Sequence, residues 1–401
     1  MLSASALSSF FINRSVALLA LCQALLTTGN VLLVSVLALI GNQLADQPAL
    51  ATLPVAVQFL GTMLAAYPAS LLMKRIGRRA GFWIGNGLGI VGALVAFWAL
   101  GRESMLLFCF GSALIGACIG ISQLYRFAAV DVSDEAHKHR AISLVMAGGL
   151  VAALVGPALA IWSRDWLPDL LYGGNYLALV LIYLLAITAL GWVRVPPSSD
   201  EEVHGQARPI AEVVRQPVFI VAVLGAVVAY AVMVLIMNAT PLSMQACGFS
   251  FGITAGVIQW HVLGMFAPSF ITGRLISRFG VTTIMLVGAV LMIGCILVNL
   301  QGIGRWHFTS ALILLGVGWN FLFIGSTSLL TEAYRPAEKA RAQGINEMLV
   351  SMSVMVASFC SGLLQNLWGW DWVNLAMAPP LALVVIAILW LGRIKGTEQP
   401  A

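Results

Sequence analysis

The chain reads as an all-α membrane protein: 12 transmembrane helices in two pseudo-symmetric six-helix bundles, with both termini cytoplasmic. Three observations lead there. Apolar runs recur about every thirty residues, basic residues collect in alternate gaps between them, and one polar stretch divides the runs six and six. Of 401 residues, 60% are hydrophobic and only 9% charged, where a soluble domain carries about 25% charged residues.

A spanning helix needs about 20 mainly apolar residues, and the runs meet that length in order. The first, 15–40, follows Arg14; the second, 50–73, stops at Lys74 and Arg75; the third, 80–100, starts after Arg78 and Arg79. The fourth, 104–130, ends at Asp131, the fifth, 141–162, follows Arg140, and the sixth, 173–193, ends at Arg194. The seventh, 217–239, opens on Pro217, the eighth, 251–273, ends at Arg274, and the ninth, 280–300, follows Arg278. The tenth, 307–330, ends before Glu332, the eleventh, 342–365, follows Arg341, and the twelfth, 372–392, ends before Arg393.

Orientation follows from the cations. With the N-terminus inside, 17 of the 21 Lys and Arg fall in cytoplasmic loops and tails. Arg102, Arg164 and Arg305 lie outside, and Arg126 falls within a run. Such a bias fixes topology through the positive-inside rule. The net charge of +5 arises from these loops and gives no sign of nucleic-acid binding. The run after Arg14 is longer than the roughly 7–15-residue apolar core of a signal peptide, so a span is expected there. Five of the six cysteines sit in apolar runs and Cys247 in an outer loop; no spacing suggests a metal site or a disulfide framework. No GxxxxGK[ST] loop and no hydrolytic or redox constellation is present, so neither an enzyme nor an ATP-driven pump is expected, and no cofactor.

The linker, 195–216, reads VPPSSDEEVHGQARPIAEVVRQ and separates an N-terminal bundle, 1–194, from a C-terminal bundle, 217–401. The bundles repeat each other. Asp131 and Arg140 match Glu332 and Arg341 at an offset of 201, and Leu72–Gly77 matches Leu275–Gly280 at 203. Two anchor pairs at nearly one spacing argue for duplication.

Ser70-Leu71-Leu72-Met73-Lys74-Arg75-Ile76-Gly77-Arg78-Arg79 resembles the loop signature G-x-L-x-D-R-x-G-R-[RK] of the major facilitator superfamily. Lys74 stands where that signature has its acid, and the second copy, Gly273–Gly280, also lacks it. Gly156-Pro157 resembles a reduced form of the Gly-Pro signature of that family's proton-driven drug antiporters. The resemblance covers essentially the whole chain and implies alternating access about a midplane site. It also implies that the first, fourth, seventh and tenth spans line a cavity. On those spans stand Gln23, Thr27 and Asn30; Gln123 and Tyr125; Tyr230 and Asn238; Trp319 and Asn320. The spacing of Gln23, Thr27 and Asn30 puts them on one helical face. Amides and aromatics without fixed charge suit a small organic solute; the other use of such residues is hydrogen bonding between helices.

Charges inside apolar runs mark function by default. Arg126 lies near the inner end of the fourth span, where the resemblance implies a role in substrate binding or proton coupling; snorkelling to the cytoplasm is the alternative. Glu347 is the carboxylate set deepest in an apolar run. It is a candidate proton carrier, an incidental interfacial acid, or, as the resemblance implies for the start of the eleventh span, one half of an inner latch with Lys74, beside a second pair, Arg75–Asp131. His261, mid-span, titrates in a range suited to a proton relay or serves packing. Asp131 joins Arg126, Glu347 and His261 as the proton-coupling candidates. The inner-gate candidates are Lys74, Arg75, Gly77, Arg78, Arg79, Asp131, Arg140, Arg278, Gly280, Glu332, Arg341 and Glu347.

The leading expectation is proton-coupled efflux, a drug or metabolite antiporter. The alternatives are a proton-coupled importer of a nutrient or metal chelate, and a non-transporting sensor on the same fold. The expected partners are a small-molecule substrate, protons and the lipid bilayer, in a monomer seated in a bacterial-type inner membrane, with no nucleic acid.

Overall fold

In hydrocarbon every backbone N–H and C=O must be satisfied internally, and a helix does this within one segment. The computed structural model describes residues 13–45, 53–196 and 205–397, and among them every long element is helical. The linker's acidic cluster at 200–202 and its serines lie outside the described residues. Among the described residues, eleven helical stretches are long and apolar enough to cross a membrane. The expected eighth span is the exception, being two shorter helices.

In chain order the helices are α1 (Arg14–Leu44), α2 (Leu53–Ile76), α3 (Arg78–Gly101), α4 (Met105–Ser122), α5 (Tyr125–Asp131), α6 (Lys138–Ala147), α7 (Gly149–Ser163) and α8 (Gly173–Gly191). Then follow α9 (Ile210–Val214), α10 (Pro217–Ala246), α11 (Phe251–Phe266), α12 (Ser269–Phe279), α13 (Val281–Gln301), α14 (Arg305–Leu330), α15 (Lys339–Leu375) and α16 (Ala378–Thr397). Their starts carry the expected chemistry. Asn13 caps α1, its side chain accepting from the Val16 N–H at 2.9 Å. Pro217 occupies the first turn of α10, where its missing N–H has no intrahelical partner to lose.

The chain forms two compact units. The first comprises Met1–Gln206 together with Lys339–Ser351, and the second Ala207–Glu338 with Met352–Ala401. The opening turns of α15 thus cluster with the first unit, while the remainder of that helix clusters with the second.

Within the first unit α2 and α4 approach closely. A Cβ on Gly116 would lie 2.0 Å from the Gln58 carbonyl oxygen, a contact that excludes any side chain. Gly156 packs against Val31 of α1, where an added Cβ would meet a methyl at 2.6 Å. The Gly-Pro pair therefore has a packing role on α1.

The second unit is organised around the break between α11 and α12. Pro268 has no N–H to continue the helix and interrupts its hydrogen-bond ladder. Asn320 of α14 inserts there. Its amide donates to the Met265 carbonyl and the Ser269 hydroxyl, both at 2.6 Å, and its oxygen accepts from Thr272 at 2.6 Å. The linker end is fastened to this unit by Arg208, whose Nε and Nη2 donate to the two carboxylate oxygens of Glu338 at 2.7 and 2.6 Å. Those bonds push the Arg208 guanidinium further above its ordinary pKa.

Duplication is visible in the backbone. Gly77 and Gly280 both adopt φ +85°, a left-handed conformation that favours glycine, at the starts of α3 and α13. Short 3-10 turns at Glu135–His137 and Pro336–Glu338 lead into helices that begin at Lys138 and Lys339, again offset by 201.

Asn320→Leu removes partners from the Met265 carbonyl and two hydroxyls at once. It is expected to lower stability by about 1–3 kcal/mol, read as a lower unfolding temperature in detergent, whereas Asn238→Leu on the half-buried face of α10 is expected to leave that temperature near wild type.

Candidate functional site

Within the first unit, the opening turns of α15 present one face to α2, α3 and α5. Lys339, Gln343 and Glu347 are spaced by four and so lie above one another along it. Each has a partner. Lys339 Nζ lies 2.8 Å from Asp131 Oδ1, Gln343 Oε1 accepts from Arg78 Nη2, and Glu347 Oε1 accepts from Arg126 Nη2. Ser70 of α2 adds a bond of 2.7 Å to the Ala340 carbonyl. Gly344 lets the helix come in, since a Cβ there would lie 2.8 Å from the Tyr67 ring.

The two ends of this face differ in setting. Asp131 is partly exposed and takes two cations, Arg78 Nε at 3.1 Å and Lys339. Arg126 and Glu347, by contrast, are each 1% exposed. Arg126 is further held by its own turn, donating to the Gln123 carbonyl and side-chain oxygens, both at 3.1 Å. Glu347 Oε1 also accepts from Asn346 at 2.7 Å. Placing Arg126 there depends on the break at Gln123–Leu124, which separates α5 from α4 within the expected fourth span.

The expected ion pairs are therefore re-partnered. Glu347 pairs with Arg126 and not with Lys74; Asp131 pairs with Arg78 and Lys339 and not with Arg75. The reason is position. Arg78 is buried and points inward, while Arg75 is exposed at the end of α2. Arg126 is buried in the unit rather than snorkelling. Arg79 lies on the outside, its guanidinium 4.6 Å from the Trp83 ring centre. Arg278 and Gly280 stand at the matching corner of the second unit, with Arg278 and Glu332 exposed; Arg140 is half-buried, and Arg341 is exposed on α15.

Gln23, Thr27 and Asn30 form one half-buried face of α1. Gln23 donates to Thr27 at 3.1 Å, and Asn30 accepts from Gln58 of α2 at 3.4 Å. Tyr125 is wholly buried, receiving a bond from Asn86 at 3.1 Å and lying 4.2 Å, centre to centre, from the Phe82 ring. In the second unit Tyr230, Phe266, Trp319 and Phe323 form an aromatic cluster. Asn238 donates to Ser358 at 3.1 Å. His261 is buried, and its Nδ1 lies 2.8 Å from the Leu312 carbonyl. A carbonyl only accepts, so Nδ1 carries the hydrogen and the ring ties α11 to α14. A recess of about 450 Å³ lined by Arg14, Asp131, Asp134 and Arg194 lies at the end of α5, apart from the polar face of α1.

The sequence does not single out Lys339, Gln343, Asn346 and Ser70, which join the polar face of α15, or Phe266 and Phe323, which join the aromatic cluster. The four-residue spacing of Lys339, Gln343 and Glu347, and of Trp319 and Phe323, was the available signal.

Long apolar helices, a duplicated corner and buried charges define a multi-pass membrane protein. The chain belongs to the Major Facilitator Superfamily of transporters, whose family model matches residues 19–297 and 239–401. It is 40% identical over 391 residues to the riboflavin transporter RfnT of Brucella anthropi, covering 97% of this chain and 98% of that one. It is 29% identical over 347 residues to the uncharacterized MFS-type transporter YdeG of Bacillus subtilis, covering 82% and 81%. Two solved structures share the fold. The E. coli fucose:proton symporter FucP gives a TM-score of 0.75 at 18% identity, covering 94% of this chain and 98% of that one. The human organic anion transporter MFSD10 gives 0.74 at 13%, covering 94% and 99%. None of these names specifies drug efflux or antiport.

Removing one member of a buried ion pair leaves the other charge uncompensated, at about 3–5 kcal/mol. Arg126→Met and Glu347→Leu are each expected to lower thermal stability strongly, and the double variant to recover most of the loss. Simple addition of the two losses would show that the groups act independently.

Proposed function

We propose that this protein is a secondary transporter that takes up riboflavin, or a closely similar neutral heterocycle bearing a polyol, by alternating access coupled to protons. The observation that carries the reading is the 40% identity to RfnT over nearly the full length of both chains. The residues support it. Riboflavin is uncharged at neutral pH, and the half-buried face of α1 offers amides and a hydroxyl, groups that exchange hydrogen bonds with a polyol without fixed charge. A vitamin fits the nutrient-importer alternative better than drug efflux.

The coupling step is assigned to Arg126 and Glu347. A protonated Glu347 loses its charge attraction for Arg126, which loosens the hold of α5 on the opening turns of α15. Two elementary events, proton arrival and release of a helix face, then become one. The topology belongs to the same reading: twelve spans, both termini cytoplasmic, and a monomer in a bacterial-type inner membrane, in keeping with bacterial relatives.

Proteoliposomes test this directly. With an imposed inward proton gradient, wild type is expected to accumulate riboflavin, and a protonophore to abolish accumulation. Glu347→Gln is expected to keep riboflavin counterflow while losing gradient-driven accumulation. Accumulation indifferent to the gradient would sink the proton coupling; absence of any riboflavin flux would sink the substrate.

A further inference from the structure

Trp319 is completely buried on α14, and its indole Nε1–H has no acceptor among the described residues. A buried tryptophan N–H normally finds one. Loose packing does not explain the orphan, because the next residue, Asn320, has all its side-chain bonds made within the same few ångströms.

Three rings surround the indole. Phe323 stacks on it at 5.2 Å with planes 14° apart. Tyr230 of α10 meets it edge-on at 5.2 Å and meets Phe323 at 4.7 Å, and Phe266 of α11 meets the indole edge-on at 6.0 Å. The α14 rings are buried, whereas Tyr230 and Phe266 are half-buried and form the reachable rim.

The scaffold does not require these rings. At the repeat offset of 201, Cys118 and Ser122 stand where α14 has Trp319 and Phe323. The repeated helix itself therefore carries no aromatic side chain at either position in the other unit.

We propose that this cluster is the subsite for the planar ring system of the substrate. The faces of Tyr230 and Phe266 stack on it, and Trp319 Nε1–H donates to a ring carbonyl or ring nitrogen once the two rim rings turn aside. The inference rests on the riboflavin reading and adds which part of the molecule the second unit holds. An isoalloxazine offers both requirements, extended π faces and in-plane carbonyl acceptors. The polyol is left to groups elsewhere.

Flavin fluorescence, which stacking against aromatic side chains quenches, reads binding without transport. The purified full chain in detergent is titrated with riboflavin and with lumiflavin, which has the ring system but lacks the ribityl chain. Wild type is expected to bind and quench both. Trp319→Phe keeps an aromatic ring and deletes the donor, and is expected to weaken both ligands about tenfold, equivalent to 1.4 kcal/mol. Tyr230→Leu is expected to reduce the quenching as well as the affinity. Unchanged affinity and quenching in both variants, with wild type binding normally, overturns the subsite and leaves the riboflavin reading intact. Should Trp319→Phe not yield folded protein, Phe266→Leu with Tyr230→Leu decides by the same quenching. A wild type that binds neither flavin overturns the substrate reading and the subsite with it.

Discussion

A charge deep in an apolar protein has to be answered by another charge, and the arrangement of the first unit follows from that requirement. Arg126 is held by the Gln123 carbonyl and side chain, but neither neutralises it. Glu347 does, and it arrives on a helix whose remaining length clusters with the other unit. In a low-dielectric interior such an attraction is far stronger than at a surface. Gln343 and Ala340, both buried, extend the same attachment, and Lys339 carries it to the partly exposed Asp131.

The duplicated scaffold makes the placement of chemistry easier to see. Both copies keep the left-handed glycine, the 3-10 turn and a lysine opening the following helix. They differ in what is laid on them. At the offset of 201, Thr327 matches Arg126 and Met146 matches Glu347, so the ion pair exists in one copy only. The aromatic cluster exists in the other. Architecture has been repeated, while the Arg126–Glu347 pair and the Trp319 cluster each stand in one unit only.

Fold class was legible because bilayer thickness imposes a length on every apolar run, and eleven stretches satisfy it among the described residues. The breaks were harder to see. Pro268 is visible in the sequence, yet whether a proline ends a helix or only bends it depends on a partner for the freed groups. That partner, Asn320, comes from a distant helix. The break at Gln123–Leu124 carries neither proline nor glycine. Of the site, Arg126, Glu347 and Asp131 stood out because charges are rare in apolar runs. The pairing did not: Lys74 and Arg75 end α2 while Arg78 opens α3, and the left-handed turn at Gly77 between them decides which of the three is buried. Tyr125 and Asn320, expected on a cavity wall, are buried and bonded to neighbouring helices, since amides and phenols serve packing and recognition with the same atoms.

The junction of α11 and α12 has a mechanical meaning. A helix interrupted by proline would normally be a weak point, with bare carbonyls that resist further opening. Here a side chain acts as a splint, carrying the polar groups of the joint on its own rotatable amide. The polar groups freed at such a joint are answered by one side chain, without borrowing a bond from the helical ladders on either side. The change of direction is thereby confined to one place in the chain, between the two helical segments.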